Sequence, residues 1–157
     1  MKITFLLTGK TDVPWVRQGT TLYESRLKHY VKFEALEIPE LKSVSGLSVN
    51  QIKEREGELI LKNIKEGDEV VLLDERGKML SSEEFADFIN KKGVKGTKNL
   101  LFVVGGAYGF SDEVYKRATD KLSMSAMTFS HQMIRVIFTE QLYRAFTIIK
   151  GEPYHHR

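Results

Sequence analysis

The sequence predicts an α/β fold in which a mainly parallel sheet carries helices on both faces. Three observations carry this prediction. Residues 3–7 and 99–104 are short, almost continuously apolar runs, and 68–74 holds Val70-Val71-Leu72-Leu73 between acidic residues, as buried strands of a parallel sheet should. Longer stretches with helical spacing of apolar residues alternate with these runs. Serine-led capping patterns open the helices, and glycines or prolines close the elements. At 157 residues and 41% hydrophobic composition, the chain is sized for one core, so a single domain over residues 1–157 is expected.

The first strand, residues 3–7, ends at Gly9. Residues 12–30 follow as a helix, with Val13, Trp15, Val16, Leu22, Leu27 and Tyr30 among the basic Arg17, Arg26 and Lys28. Residues 35–38 read as a short strand before Pro39, because a residue preceding proline favours extended geometry. A polar loop over 40–47 leads to Ser48-Val49-Asn50-Gln51, a capping box that opens a charged helix to about Asn63. The strand at 68–74 is followed by an expected turn at Arg76-Gly77-Lys78. A second capping box, Ser81-Ser82-Glu83-Glu84, then starts a helix that buries Phe85, Phe88 and Ile89. The most apolar strand, 99–104, runs into Gly105-Gly106-Ala107-Tyr108-Gly109, and Ser111 is the N-cap of a helix over 112–118. Residues 122–130 read as a compact segment. The last helix, about 132–150, stops at Gly151 before Pro153.

Composition excludes several chemistries. With no cysteine there is no disulfide framework, thiolate metal site or cysteine nucleophile. No apolar run approaches the roughly 20 residues of a membrane span. The apolar start at Met1 dies at Thr8-Gly9-Lys10 without a small-residue cleavage site, so the expected location is the cytoplasm. A net charge of +3 permits a nucleic-acid partner without demanding one.

Ligands of open α/β sheets collect beyond the carboxyl ends of strands. Two such ends stand out, Leu73-Asp74-Glu75-Arg76-Gly77 and the glycine turn at 105–109. The turn is GGxxG and not the dinucleotide GxGxxG, which disfavours a nicotinamide dehydrogenase. No GxSxG elbow accompanies Ser125, Ser130 and His131, which disfavours a hydrolase. His131, His155 and His156 lie near the end of the chain beside Arg135, Tyr154 and Arg157. Their spacing matches no metal site; a tag remnant or an RNA-contacting tail are the other readings. On the last helix, Met133, Ile134, Ile137, Phe138, Leu142, Ala145, Phe146 and Ile149 cover more than half the circumference. Arg135, Thr139, Glu140, Tyr143 and Arg144 fill the remainder, so the apolar face is either deeply buried or shared with a second subunit.

The ordered set Val103-Val104-Gly105-Gly106-Ala107-Tyr108-Gly109, Leu122 through Val136 with Ser130-His131-Gln132-Met133-Ile134-Arg135, Glu140-Gln141-Leu142-Tyr143-Arg144-Ala145-Phe146 and Pro153-Tyr154-His155 resembles the RlmH family of small SPOUT-class methyltransferases. The opening strand, Glu56-Gly57 and Gly77-Lys78 also fit, so the likeness covers essentially the whole chain. The resemblance implies methyl transfer from S-adenosylmethionine to N3 of a pseudouridine in 23S rRNA on the assembled ribosome. It also implies a C-terminal trefoil knot and a homodimer. It carries over a cofactor pocket at Leu73, Gly105, Met124, Ser125, Ala126, Met127, Thr128 and Phe129, and no metal.

The N3 proton has to leave, and His131, or Tyr154 with His155, is the expected acceptor, against a positioning or structural role. Arg135 is expected to hold RNA phosphate or to orient the loop, with a helix-surface salt bridge as the alternative. Arg17, Arg26 and Lys28 are further candidate RNA contacts. The competing function is a non-catalytic RNA- or ribosome-binding protein, which would not bind S-adenosylmethionine.

Overall fold

A computed structural model describes residues 1–156; Arg157, grouped with the tail above, lies outside the described residues. The strands are β1 (Lys2–Thr8), β2 (Lys32–Ile38), β3 (Glu69–Met79), β4 (Asn99–Val104) and β5 (Asp120–Ser123). They form one sheet of order β2-β1-β4-β3-β5, and every pairing is parallel. The helices are α1 (Pro14–Leu27), α2 (Val49–Lys62), α3 (Ser82–Lys95), α4 (Asp112–Arg117) and α5 (Met133–Ile149).

Alternation along the strands divides the core in two. Ile3, Phe5 and Leu7 of β1, with Leu100, Phe102 and Val104 of β4, pack with Leu27, Phe85, Ile89, Phe138, Leu142 and Phe146 of α1, α3 and α5. Leu6, Val70, Leu72 and Val103 point the other way, to Ile60 of α2 and Val114 of α4. Each of these fully buried side chains contributes about 1.5–3 kcal/mol of transfer free energy. Both expected capping boxes form: Ser48 Oγ accepts from Gln51 N and Ser81 Oγ from Glu84 N.

Two departures from the sequence reading lie together. The expected turn at Arg76-Gly77-Lys78 is part of β3, and a strand without a signal in the sequence, β5, runs into the compact segment at 122–130. Leu122 pairs with Leu73 on one side of an irregularity in β3 and with Lys78 on the other, while Met79 pairs with Ser123. The chain at 74–77 therefore arches over Leu122. Gly77 is required there, because a Cβ would lie 2.6 Å from the Leu122 backbone nitrogen and carbonyl carbon. Short β5 escaped the sequence reading because only Leu122 and Ser123 of its four residues are buried.

Candidate cofactor cleft

A cleft of about 320 Å³ opens at the carboxyl ends of β3, β4 and β5. It brings together Leu73, Gly105, Met124, Ser125, Met127, Thr128, Phe129 and His131, which are far apart in the sequence. Ala126 is on the same loop but exposed, and does not line the cavity.

Local chemistry explains each wall. β4 leaves the sheet at Val104 and turns at once through Gly105 and Gly106. Gly109 closes the turn with φ of 85°, a conformation that favours glycine, and its N–H donates to Gly106 O at 3.2 Å. Ser111 then caps α4 by accepting from Val114 N at 3.3 Å. On the opposite wall the 124–129 loop is folded by its own serines. Ser123 Oγ donates to Ser125 O at 2.9 Å, and Met127 N donates to Ser125 Oγ at 2.9 Å. Tyr115 donates a hydrogen bond to Asp74, and burial followed by this bond raises its phenol to about 12. Lys53 and Arg76 stand among the lining residues as cations.

A nucleoside with a charged amino-acid tail fits such a cavity. Leu73, Val104, Met127, Phe129 and Ile134 supply apolar walls, glycines bare the backbone, and the volume lies within the range of small-ligand sites.

Arg135 occupies a different position from the one expected. It is 1% exposed and lies within the fold, not on a polar face of α5. Its guanidinium donates to Thr8 O at 2.9 Å, Gly9 O at 3.0 Å, Thr11 Oγ1 at 2.8 Å and His131 O at 2.9 Å. Burial lowers its pKa from the ordinary value, yet a guanidinium stays charged. Arg135 thus ties the end of β1 to the segment carrying His131, with each of its guanidinium nitrogens donating within the fold. Among the described residues it has no salt-bridge partner. Thr139, also assigned to the polar remainder of α5, is fully buried and donates to Arg135 O at 3.0 Å.

Tyr154 and His155 fold back on their own α5. Tyr154 Oη donates to Glu140 at 3.0 Å, and His155 Nδ1 lies 3.1 Å from Arg144. Arg144 also donates to Glu140 at 3.1 Å, as the helical spacing predicted. Ile134 lines the cleft and Arg144 lies nearly three turns further along α5, a rise of about 15 Å. The tail of one chain is therefore held away from the cleft of that same chain. Of the expected RNA contacts, Arg17 is engaged with Thr11 O at 2.8 Å and Glu37 at 3.2 Å. Arg26 sits over the rings of Tyr23 and Tyr143, and Lys28 is exposed.

Among the described residues, no three His, Asp or Glu side chains gather as a metal ion would require, and no helix is long and apolar enough to cross a membrane.

The family described as "Predicted SPOUT methyltransferase" matches residues 1–155. The chain is 57% identical over its full length, and that of the relative, to the ribosomal RNA large subunit methyltransferase H of Christiangramia forsetii. It is 53% identical to the proteins of that name from Bacteroides thetaiotaomicron and Porphyromonas gingivalis, with 99% of both chains covered in each case. A trefoil-knotted C-terminal part is what the SPOUT family leads one to expect. The chain belongs to the SPOUT methyltransferases, whose methyl donor is S-adenosylmethionine.

Proposed function

We propose that this protein methylates N3 of a pseudouridine in 23S rRNA on the assembled ribosome. In this reading it acts in the cytoplasm as a homodimer of one-domain subunits. The observation that carries the reading is the cleft, which assembles Leu73, Gly105 and five of the six residues 124–129 around one cavity.

When bound, S-adenosylmethionine supplies an electrophilic methyl group on a sulfonium sulfur. The protein's part is to bind, orient and move a proton. Leu73, Met127 and Phe129 would hold the adenine between apolar walls, and the bare backbone of the glycine turn would meet the polar tail. His131, which lines the cleft and is exposed, would take the N3 proton of the substrate. Arg135 acts through its hydrogen bond to His131 O, as a positioning residue. Alignment of N3 with the methyl carbon supplies most of the rate.

The homodimer has two supports. Trp15 is 54% and Leu22 46% exposed on one side of α1, where Gly19 allows close approach to Val136 of α5; that apolar stripe suits a second copy of the chain. The tail held beside Glu140 and Arg144 lies along the helix from its own cleft, so in a dimer it is the partner's cleft that Tyr154 and His155 would complete.

The deciding experiment is mass spectrometry of rRNA nucleosides after the protein is incubated with S-adenosylmethionine and ribosomes lacking the modification. Appearance of N3-methylpseudouridine is expected; its absence overturns the reading. Removing residues 154–157 should abolish methylation while cofactor affinity, measured by calorimetry, stays within about twofold of the intact chain. Wild-type protein that binds ribosomes but not S-adenosylmethionine would instead mark a non-catalytic ribosome-binding protein.

A further inference from the structure

One side of α2 touches the cleft in a way that hydropathy does not register. The Glu56 carboxyl lies against the glycine turn: a Cβ on Gly106 would come 2.2 Å from Oε2 and 2.5 Å from Oε1. The backbone N–H of Gly106 faces this carboxyl. Glu56 Oε2 is buried without a hydrogen-bond partner, and among the described residues it is the one side-chain polar atom in that condition. Buried carboxylate oxygens are ordinarily satisfied, so the placement calls for a reason.

The next residue supplies part of it. Gly57 is buried, and a Cβ there would lie 2.4 Å from Ser111 Oγ, the side chain that caps α4. Adjacent residues of one helix therefore touch the two ends of the 106–111 segment. Between those ends Gly106 O accepts from Gly109 N, so the Gly106 peptide is flanked by the turn on its carbonyl side and by Glu56 on its amide side.

We infer that Glu56 is a positioning residue of the cleft, which with Gly57 braces the glycine turn from beneath and fixes the backbone that the ligand meets at Gly105. This rests on the reading of the cleft as the S-adenosylmethionine site. The brace is charge-sensitive. Burial raises the Glu56 carboxyl above its ordinary value, and the Glu40 carboxylate on the loop after β2 adds to the rise. Lys53, one turn earlier on α2, lines the cleft, and the turn at 105–110 contributes no charged side chain. The ionised carboxyl accepts an amide N–H more strongly than the neutral acid, so the brace tightens as pH rises through the raised value.

The test is calorimetry of the full-length protein with S-adenosylmethionine and with S-adenosylhomocysteine, which lacks the sulfonium charge, from about pH 5 to 8. Glu56→Ala should weaken both ligands by about tenfold, the scale of one charge-assisted hydrogen bond. Glu56→Gln, which keeps an acceptor, should recover most of that affinity and lose the rise of affinity with pH. If Glu56→Ala does not fold, the flat profile of Glu56→Gln decides the matter. Wild-type affinity in Glu56→Ala, or the wild-type pH profile in Glu56→Gln, overturns the inference. So does a loss confined to S-adenosylmethionine, which would reveal a direct charge effect on the sulfonium. Wild-type protein that binds neither ligand overturns the cleft reading itself, and that result is distinct from all the others.

Discussion

At the amino ends of β3 and β5, Lys92 donates to Glu69 at 2.6 Å and to Asp120 at 2.7 Å, while Thr97 and Lys95 fill the remaining Glu69 oxygen at 2.7 and 3.1 Å. At the carboxyl ends of β3 and β4, the chain instead turns through bare glycines over a carboxyl with one unpartnered buried oxygen, beside an open cleft. The first end is saturated: every carboxylate oxygen of Glu69 has a donor. The second keeps surface and polar groups unspent for a ligand. In a parallel sheet all strands point the same way, so one end can be closed for stability while the other stays open for chemistry.

That division can be broken from either side. The largest effect is expected from Lys92→Met, which strips Glu69 and Asp120 of a shared, mostly buried partner. Chemical denaturation should show a loss of about 3 kcal/mol, with S-adenosylmethionine affinity within about twofold of wild type. Coupling of the two in this variant would mean that the ends are not independent.

Acid acts on the same end. Glu69 is held at about 2, first by its hydrogen bond to Lys92, against an ordinary 4.5. A depressed carboxyl stabilises the fold above the unfolded value, and this contribution, about 3 kcal/mol at most, is lost as pH falls from 4.5 toward 2. Denaturation curves across that range should lose this slope in Glu69→Gln.

Gly105→Val tests the other end. Its Cβ would already stand 2.9 Å from the Phe110 ring, so added methyls are driven into the cleft or against that ring. Cofactor affinity should fall by about a hundredfold, near 2.7 kcal/mol, with the unfolding midpoint changed far less. The smallest effect is expected from Ser111→Ala, which removes the α4 cap at a cost of about 1 kcal/mol in denaturation experiments.

The sequence made the regular elements legible because their signals are local. The boxes at Ser48 and Ser81, the apolar run before Gly105 and the stop at Gly151 all read correctly from a few adjacent residues. Non-local relations were harder. Nothing adjacent to Gly77 reveals that Leu122 passes against it, so the glycine reads as a turn. Arg135 looks like a surface cation because hydropathy counts its charge and not the carbonyls of Thr8, Gly9 and His131 that satisfy it. Glu56 reads in the sequence only as part of a motif, since a glutamate on a charged helix gives no sign of the peptide it touches. Of the cleft residues, Leu73 and Gly105 stand at strand ends that the residues themselves mark, whereas Met124 to Phe129 are reached only through the resemblance.

The arch over Leu122 also constrains the order of assembly. β5 is flanked by two parts of β3 that are distant from it in the chain, so neither pairing can be completed by local zipping. During synthesis the arch-forming residues emerge first, and the segment that must lie beneath them emerges near the end. Docking of β5 and α5 therefore waits until both have emerged, and the loop at 124–129, which lines the cleft, settles only once β5 is in place. Folding should be slow, and the pairing of β5 with both parts of β3 sets its clock.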